Sequence, residues 1–351
     1  MKFVLKLSIL SSILILSIGC GDETTEPSGD YKAVITNVSN DVILKTYEDL
    51  FNKTESFVTT LNTLYISPTG LNLDAARQAW RDARVPWEQS EGFLFGPVDQ
   101  KGIDPSIDSW PVNQPDLEAV LNSPNALTKT YIDGLDGTLK GFHTLEFLLF
   151  GPTGNKDIST FTPRQIEYLK ACAESLHGAT QELYFSWTPE QQNYVDNLLK
   201  AGEPGNSVYP SQKSVLQEFV NGMISIADEV ANGKINDPLV QQNVSFEESR
   251  FSANSKQDFA DNIRSIRNAY LGTFNTSSGL GLSSVISANN VALDVKVRQH
   301  IDAAINAIEA IPGTFTTAIF NDKSSVEYAQ EQVRALQAVL ESEVLPLISN
   351  L

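Results

Sequence analysis

Gly141–Pro152 reads GFHTLEFLLFGP. Phe142, Leu145, Phe147, Leu148, Leu149 and Phe150 surround one histidine, His143, and one glutamate, Glu146, three positions on. Such a run has no polar face, so as a helix it is buried over most of its circumference. Glutamate is almost never fully buried unless it is paired, and an isolated buried carboxylate is costly. The pair therefore needs partners, and the rest of the chain is read for them.

On a helix His143 and Glu146 lie about 60° apart and point to one side. So placed, imidazole and carboxylate can share a metal, hydrogen-bond a ligand, or satisfy an arginine. An isolated H-x-x-E is a weak motif; its apolar context and Gly141, which permits a close backbone approach, strengthen it. A second cluster is WRDARVPWEQSEGFLFG, residues 80–96. Trp80, Arg84, Trp87, Glu88 and Glu91 follow helical steps of three or four. Arg84 and Glu88 can pair at i,i+4, which on its own reads as a surface ion pair over core tryptophans. The third is ESRFSANSKQDFADNIRSIRNAYLG, residues 248–272, dense in Ser, Asn, Asp and Arg. There Ser255 with Asp258 makes a capping-box-like start, which leaves Ser252, Asn254 and Asn262 unexplained.

Outward from these clusters, the pattern is helical nearly throughout. The spacing predicts helices over 40–66, 73–95 with Pro86 as a kink, 125–150 interrupted near Gly134 and Gly137, and 163–186. Thr188 and Pro189 read as a cap and first helical residue. Prolines and glycines among polar residues at 96–116 forbid a regular element, and loops of that length are often functional. AGEPGNS at 201–207 is the best domain boundary, and helices at 211–233, 255–271, 288–310 and 323–348 follow it. The expectation is an all-α protein of two similar four-helix bundles, 38–203 and 204–351. EGFLFGP (91–97) echoes EFLLFGP (146–152), aligning Glu88 with His143 and Glu91 with Glu146, as an internal duplication would.

The chain has 351 residues, 41% of them hydrophobic and 19% charged, as a globular protein does, and a net charge of −18. That charge argues against nucleic acid or an anionic membrane surface as partner. Residues 1–19 read as a secretory signal: Lys2 and Lys6, then an apolar run too short to span a membrane comfortably. LSIGC resembles a bacterial lipobox. Gly19 and Cys20 match it, whereas Ser17 and Ile18 depart from the usual leucine and small residue. The resemblance implies cleavage before Cys20 and lipidation of its thiol. The polar stretch 20–37 is a flexible tether. Cys172 is the other cysteine, so an intrachain disulfide is excluded after lipidation; its apolar neighbours mark it as a packing residue.

GFHTLE is similar to the G-x-H-x-x-E motif of the imelysin-like family. The W…R..WE..E.F.FGP phrase before it, the ES.FS..S..DF..N phrase after it, and IADEVANGKINDPL (226–239) resemble that family in the same order, over about residues 40–348. The resemblance implies two bundles from one duplicated unit with a site at their interface, in bacterial envelope proteins linked to iron uptake. It implies His143 and Glu146 as site residues and metal ligands, Arg84, Trp87 and Glu88 from the first phrase, and Ser252, Asp258 and Asn262 from the second.

The family was first classed as metallopeptidases, but this chain has no H-E-x-x-H. His177 and His300 fall in other predicted helices. No Gly-x-Ser-x-Gly elbow and no Gly-rich phosphate loop is present. Three readings result. The leading one is a lipid-anchored envelope protein, at the outer membrane or periplasmic face, that binds iron, another divalent metal or an iron-bearing ligand. The others are a metal-dependent peptidase and a structural lipoprotein in which His143 and Glu146 form a buried network.

Overall fold

The computed structural model describes residues 29–351. The signal and residues 20–28 of the tether, Cys20 among them, lie outside the described residues; of the rest of the expected tether, Lys32–Asn37 is helical instead. The fold is all-α, as expected; among the described residues the strand pairing is one two-residue hairpin, Thr273–Phe274 against Ser277–Ser278. No described helix is long and apolar enough to cross a membrane.

In the first half, Lys45–Ile66 packs along Gly70–Glu88 and Pro163–Trp187. The opening run Gly141–Phe150 is a helix laid across the last two, and nine of its ten residues are buried. Trp80, Trp87 and Trp187 are fully buried in the core, each ring on an apolar helical stripe. In the second half, Val291–Glu309 packs on Lys323–Val339 and on Ser255–Leu271, and Gln212–Asp228 joins Lys323–Val339 and Ser255–Leu271. The halves meet where Ser255–Leu271 crosses Gly70–Glu88 and the 3-10 turn Glu91–Phe93. Gly222 lets the backbones close there: a Cβ on it would stand 2.3 Å from the Gly92 carbonyl oxygen.

Several local expectations are corrected. The first helix starts at Lys32 and passes through a π-helical turn, Val38–Leu44, before Lys45–Ile66. The helix predicted to 95 ends at Glu88, two residues past Pro86, whose missing N–H forgoes one hydrogen bond in its last turn. The 96–116 stretch is not free of regular structure: Pro97–Gln100, Asp104–Asp108 and the start of Gln114–Leu121 are short helices, each with proline in its first turn where no N–H is needed. Pro189 opens a turn rather than a helix; helix resumes at Val195–Leu199. Ser255–Leu271 matches its predicted bounds, but Asn254 is its cap position and Ser255 caps nothing: its hydroxyl donates to Glu247 at 2.8 Å.

Candidate functional site

Gly141 starts its helix at φ 75°, and a Cβ there would stand 2.3 Å from the Ile107 carbonyl oxygen. Only glycine accepts both conditions. The Asp104–Asp108 helix therefore lies against Gly141–Phe150, and Asp108 reaches His143: its Oδ1 is 3.1 Å from Nε2. Asp108 also accepts from Arg84 Nη1, and from Trp87 Nε1 at 2.6 Å. One carboxylate from a proline-bearing short helix thus ties together residues of both leading motifs.

Arg84 is wholly buried, which overturns the surface-pair reading. Its guanidinium pairs with Glu88 and Asp108, donates from Nη2 to Glu248 at 2.9 Å, and points Nε at Asp258, 3.6 Å away. Arg84 does not pair with Glu146 in the described structure. Glu146 Oε1 instead accepts from the Ser252 N–H and hydroxyl, both at 2.7 Å, and Oε2 faces His143 Nδ1 at 3.7 Å. Asn262 donates from Nδ2 to Glu88 at 2.6 Å and Glu91 at 2.9 Å. Asp258 accepts from Asn254 at 2.7 Å, which is the role that replaces its expected part in a cap.

All eight residues singled out in the motifs, Arg84, Trp87, Glu88, His143, Glu146, Ser252, Asp258 and Asn262, therefore enter one buried polar cluster between the halves. So do both i,i+3 pairs of the echo, Glu88 with Glu91 and His143 with Glu146. His177 does not: it stacks on Phe51 and bonds Thr54 Oγ1 at 3.1 Å. Nor does His300, whose charged surroundings are Lys296 and Glu343. Cys172 is buried against the Gly141 carbonyl, and burial pushes its thiol up to about 12, as befits a packing residue. Sequence reasoning missed Asp108 and Lys234. Lys234, on the π-helical turn Glu229–Ile235, donates to Glu91 at 2.8 Å and Glu248 at 3.2 Å. Glu248 and Lys234 both stand inside the family-like phrases, and the density of charge there was the available signal.

Six carboxylates, Glu88, Glu91, Asp108, Glu146, Glu248 and Asp258, face Arg84, Lys234 and His143. Burial opposes the charged imidazolium, yet the charge and hydrogen bond of Asp108, aided by Glu146, win and raise His143 to about 9. Burial likewise opposes the Asp108 carboxylate, but Arg84 and then His143 hold it well below the usual range. Burial pushes Glu88 and Glu91 well up, only partly offset by Arg84 and Lys234 respectively. Burial raises Asp258 to about 6 against the pull of Arg84. The cluster thus sets six carboxylates against three cations, and burial favours the protonated form of Glu88, Glu91 and Asp258.

The cluster opens into a cavity of about 260 Å³ lined by Glu91, Asp104, Asp108, His143, Lys234 and Glu248, with Leu94, Trp110 and Phe246 among its apolar walls. A second void of about 20 Å³, room for a water or one ion, lies among Trp110, His143, Glu146, Glu248 and Arg250. Donor atoms of Asp108, His143 and Glu248 lie within 4.8 Å of one another, and so do those of Glu88, Glu91 and Asp108. His143 Nδ1, Glu146 Oε2 and Glu248 Oε2 are buried without a hydrogen-bond partner. Imidazole with carboxylates is a donor set that fits a first-row divalent or trivalent cation.

The imelysin family model matches residues 43–342. Iron-regulated protein A of Synechococcus elongatus is 31% identical over 345 residues, covering 95% of this chain and 93% of that one. The crystal structure of a candidate iron-regulated protein A precursor from Parabacteroides distasonis superposes with a TM-score of 0.81 at 30% identity, covering 91% of this chain and 95% of that one. An imelysin-like protein from Psychrobacter arcticum shares the fold at 16% identity, with a TM-score of 0.75 over 90% and 94% of the two chains. With its buried H-x-x-E at the junction of its two halves and a family match across most of its length, the chain belongs to the imelysin family.

Proposed function

We propose that the protein is an envelope lipoprotein that captures iron, as an ion or in an iron-bearing ligand, at the acidic cluster between two bundles, 38–203 and 204–351, derived from one duplicated unit. The observation that carries this is the buried excess of carboxylates around His143, with unpartnered donor atoms on His143, Glu146 and Glu248 around the small void between them. An uncompensated buried carboxylate is costly, and an added cation relieves that cost. The iron-regulated relative gives the choice of metal its support. Asp108, His143 and Glu248 would hold the cation, with Glu146 on the other ring nitrogen's side. A peptidase reading gains nothing from this donor set: only one histidine is present in it, and no zincin helix supplies a second.

The test is anaerobic loading with ferrous ion, desalting and elemental analysis of the bound metal. The parent should retain iron, and His143→Ala and Glu248→Gln should lose it. A parent that retains none overturns the reading. Anchoring is tested separately by detergent-phase partitioning: the parent should enter the detergent phase and Cys20→Ser should not. A parent that stays in the aqueous phase removes the lipoprotein assignment.

A further inference from the structure

We infer that Lys234 is a built-in competitor for the cation site: its ammonium sits on the acidic floor and must move out for a metal to enter. This rests on the cation-binding reading of the cluster.

Two fixed cations serve the cluster, and they differ in mobility. Arg84 is on the Gly70–Glu88 helix, wholly buried, with both Nη atoms bonded to carboxylates and its guanidinium 5.2 Å from the Phe142 ring centre. It cannot leave without breaking the core. Lys234 reaches two of the same carboxylates, Glu88 and Glu248, from the cavity wall. Its Nζ is 2.8 Å from Glu91, 3.2 Å from Glu248 and 3.8 Å from Glu88. Lysine carries a point charge on four rotatable bonds, so it can vacate a site that a guanidinium fork would keep.

The exit is also built. Glu229, one turn back on the same π-helical turn, lies 3.7 Å from Nζ and has a largely exposed side chain. Asp237 stands on the same cavity wall. Swinging outward, the ammonium trades Glu91 and Glu248 for Glu229 and Asp237 and stays charged. Lys234 and Arg84 share Glu248 Oε1, so the departure of Lys234 leaves Arg84 alone on that oxygen, and a metal on Asp108, His143 and Glu248 meets one competing cation fewer at that carboxylate. π-helical turns inside α-helices recur at functional sites, and Gly233 beside Lys234 adds local freedom. One cation replaces another, so the floor never stands with both its counter-cations absent.

The experiment compares parent, Lys234→Met, Lys234→Gln and the exposed-surface control Lys323→Met, titrated with manganous ion and with ferrous ion under argon. Removing the competing charge should tighten binding by about tenfold or more in both Lys234 variants, as the loss of a like charge near a buried cation predicts, and leave the control at parental affinity. Lys234→Gln guards against a packing artefact of the methionine. Unchanged or weaker binding in both Lys234 variants, with the parent still binding, overturns the competitor role and leaves the cation site standing. Tightening equal to that of Lys323→Met assigns the effect to net charge and overturns it too. Absence of binding in parent and variants alike overturns the site reading itself, and the competitor role with it.

Discussion

The Nε2 atom of His143 lies 3.1 Å from Oδ1 of Asp108, and this contact sets the state of the cluster. It favours the imidazolium, raising His143 to about 9 although burial opposes the charge. A metal that takes the imidazole must first displace that proton, since only neutral imidazole ligates. Metal affinity is therefore expected to rise with pH up to about 9 and level off above it. Titration from pH 6 to pH 10 checks this, and a pH-independent affinity would separate metal binding from His143.

The same contact has a signature in stability without metal. The folded value of His143 lies above its unfolded value of about 6.5. Its contribution is fully present below that unfolded value and is lost as pH rises through about 9. The stability difference between parent and His143→Gln should therefore shrink between pH 6 and pH 10. Urea unfolding at a series of pH values measures it; a gap that widens with pH contradicts the pairing.

Asp108 and Glu146 are expected to differ as structural elements. Asp108→Asn weakens the charge contact to Arg84, the partner of Trp87 and the contact to His143 at once, leaving Arg84 Nη1 and His143 Nε2 buried without their carboxylate. A loss of about 3–5 kcal/mol is expected. Glu146→Gln keeps a carbonyl oxygen for both Ser252 donors and should cost about 1 kcal/mol or less. Chemical denaturation of the two variants separates a charge hub from a hydrogen-bonded arm.

How much of this was legible in the sequence follows from the range of the interactions. His143 and Glu146 stand out because an apolar helical run reports its own burial. Arg84, Trp87 and Glu88 follow helical steps, but spacing alone reads them as a surface pair over core tryptophans, and it is the family resemblance that brings them to the site. Asp108 was hidden in a segment where proline and glycine mask short helices; its pairing with His143 depends on Gly141, which the sequence offers only as a permissive residue. Lys234 was hidden for another reason. A π-helical turn inserts a residue into the helical phase, so 3.6-residue periodicity misplaces side chains beyond it. Ser255 and Asp258 matched a local capping pattern, but Glu247 from the preceding loop for one, and Asn254 at the cap position with the distant Arg84 for the other, won over the cap.

Gly141 gives a direct test of how the site is assembled. Alanine there must adopt φ 75° and place a Cβ 2.3 Å from a carbonyl oxygen. The left-handed conformation alone costs about 1–2 kcal/mol, and the clash adds to it. The Asp104–Asp108 helix should be pushed off Gly141–Phe150, so that Asp108 loses its hold on His143. Gly141→Ala is expected to be destabilised and to shift the His143 proton NMR titration from about 9 towards the ordinary histidine range. A destabilised variant with an unmoved titration would show that Asp108 follows His143 by another route.

Glu247 makes the last prediction, outside the metal question. It is buried beside the cluster, and its Oε1 accepts from Ser255 at 2.8 Å and Thr316 at 3.0 Å, while Oε2 has no partner. Burial raises it to about 7, with the two hydroxyls pulling the other way. An acid whose folded value exceeds its unfolded value favours the fold while protonated. That contribution is present below the unfolded value of about 4.3 and is lost as pH rises through about 7. Glu247→Gln fixes the neutral shape and keeps the carbonyl acceptor. Relative to the parent it should change little at pH 4.5 and become progressively more stable towards pH 8, where the parent must either bury a charge or hold a proton that the unfolded chain has released. Urea unfolding at those two pH values decides it. A variant that loses stability at pH 8 would mean that Glu247 is held as a needed carboxylate, and that a cation of the cluster reaches it.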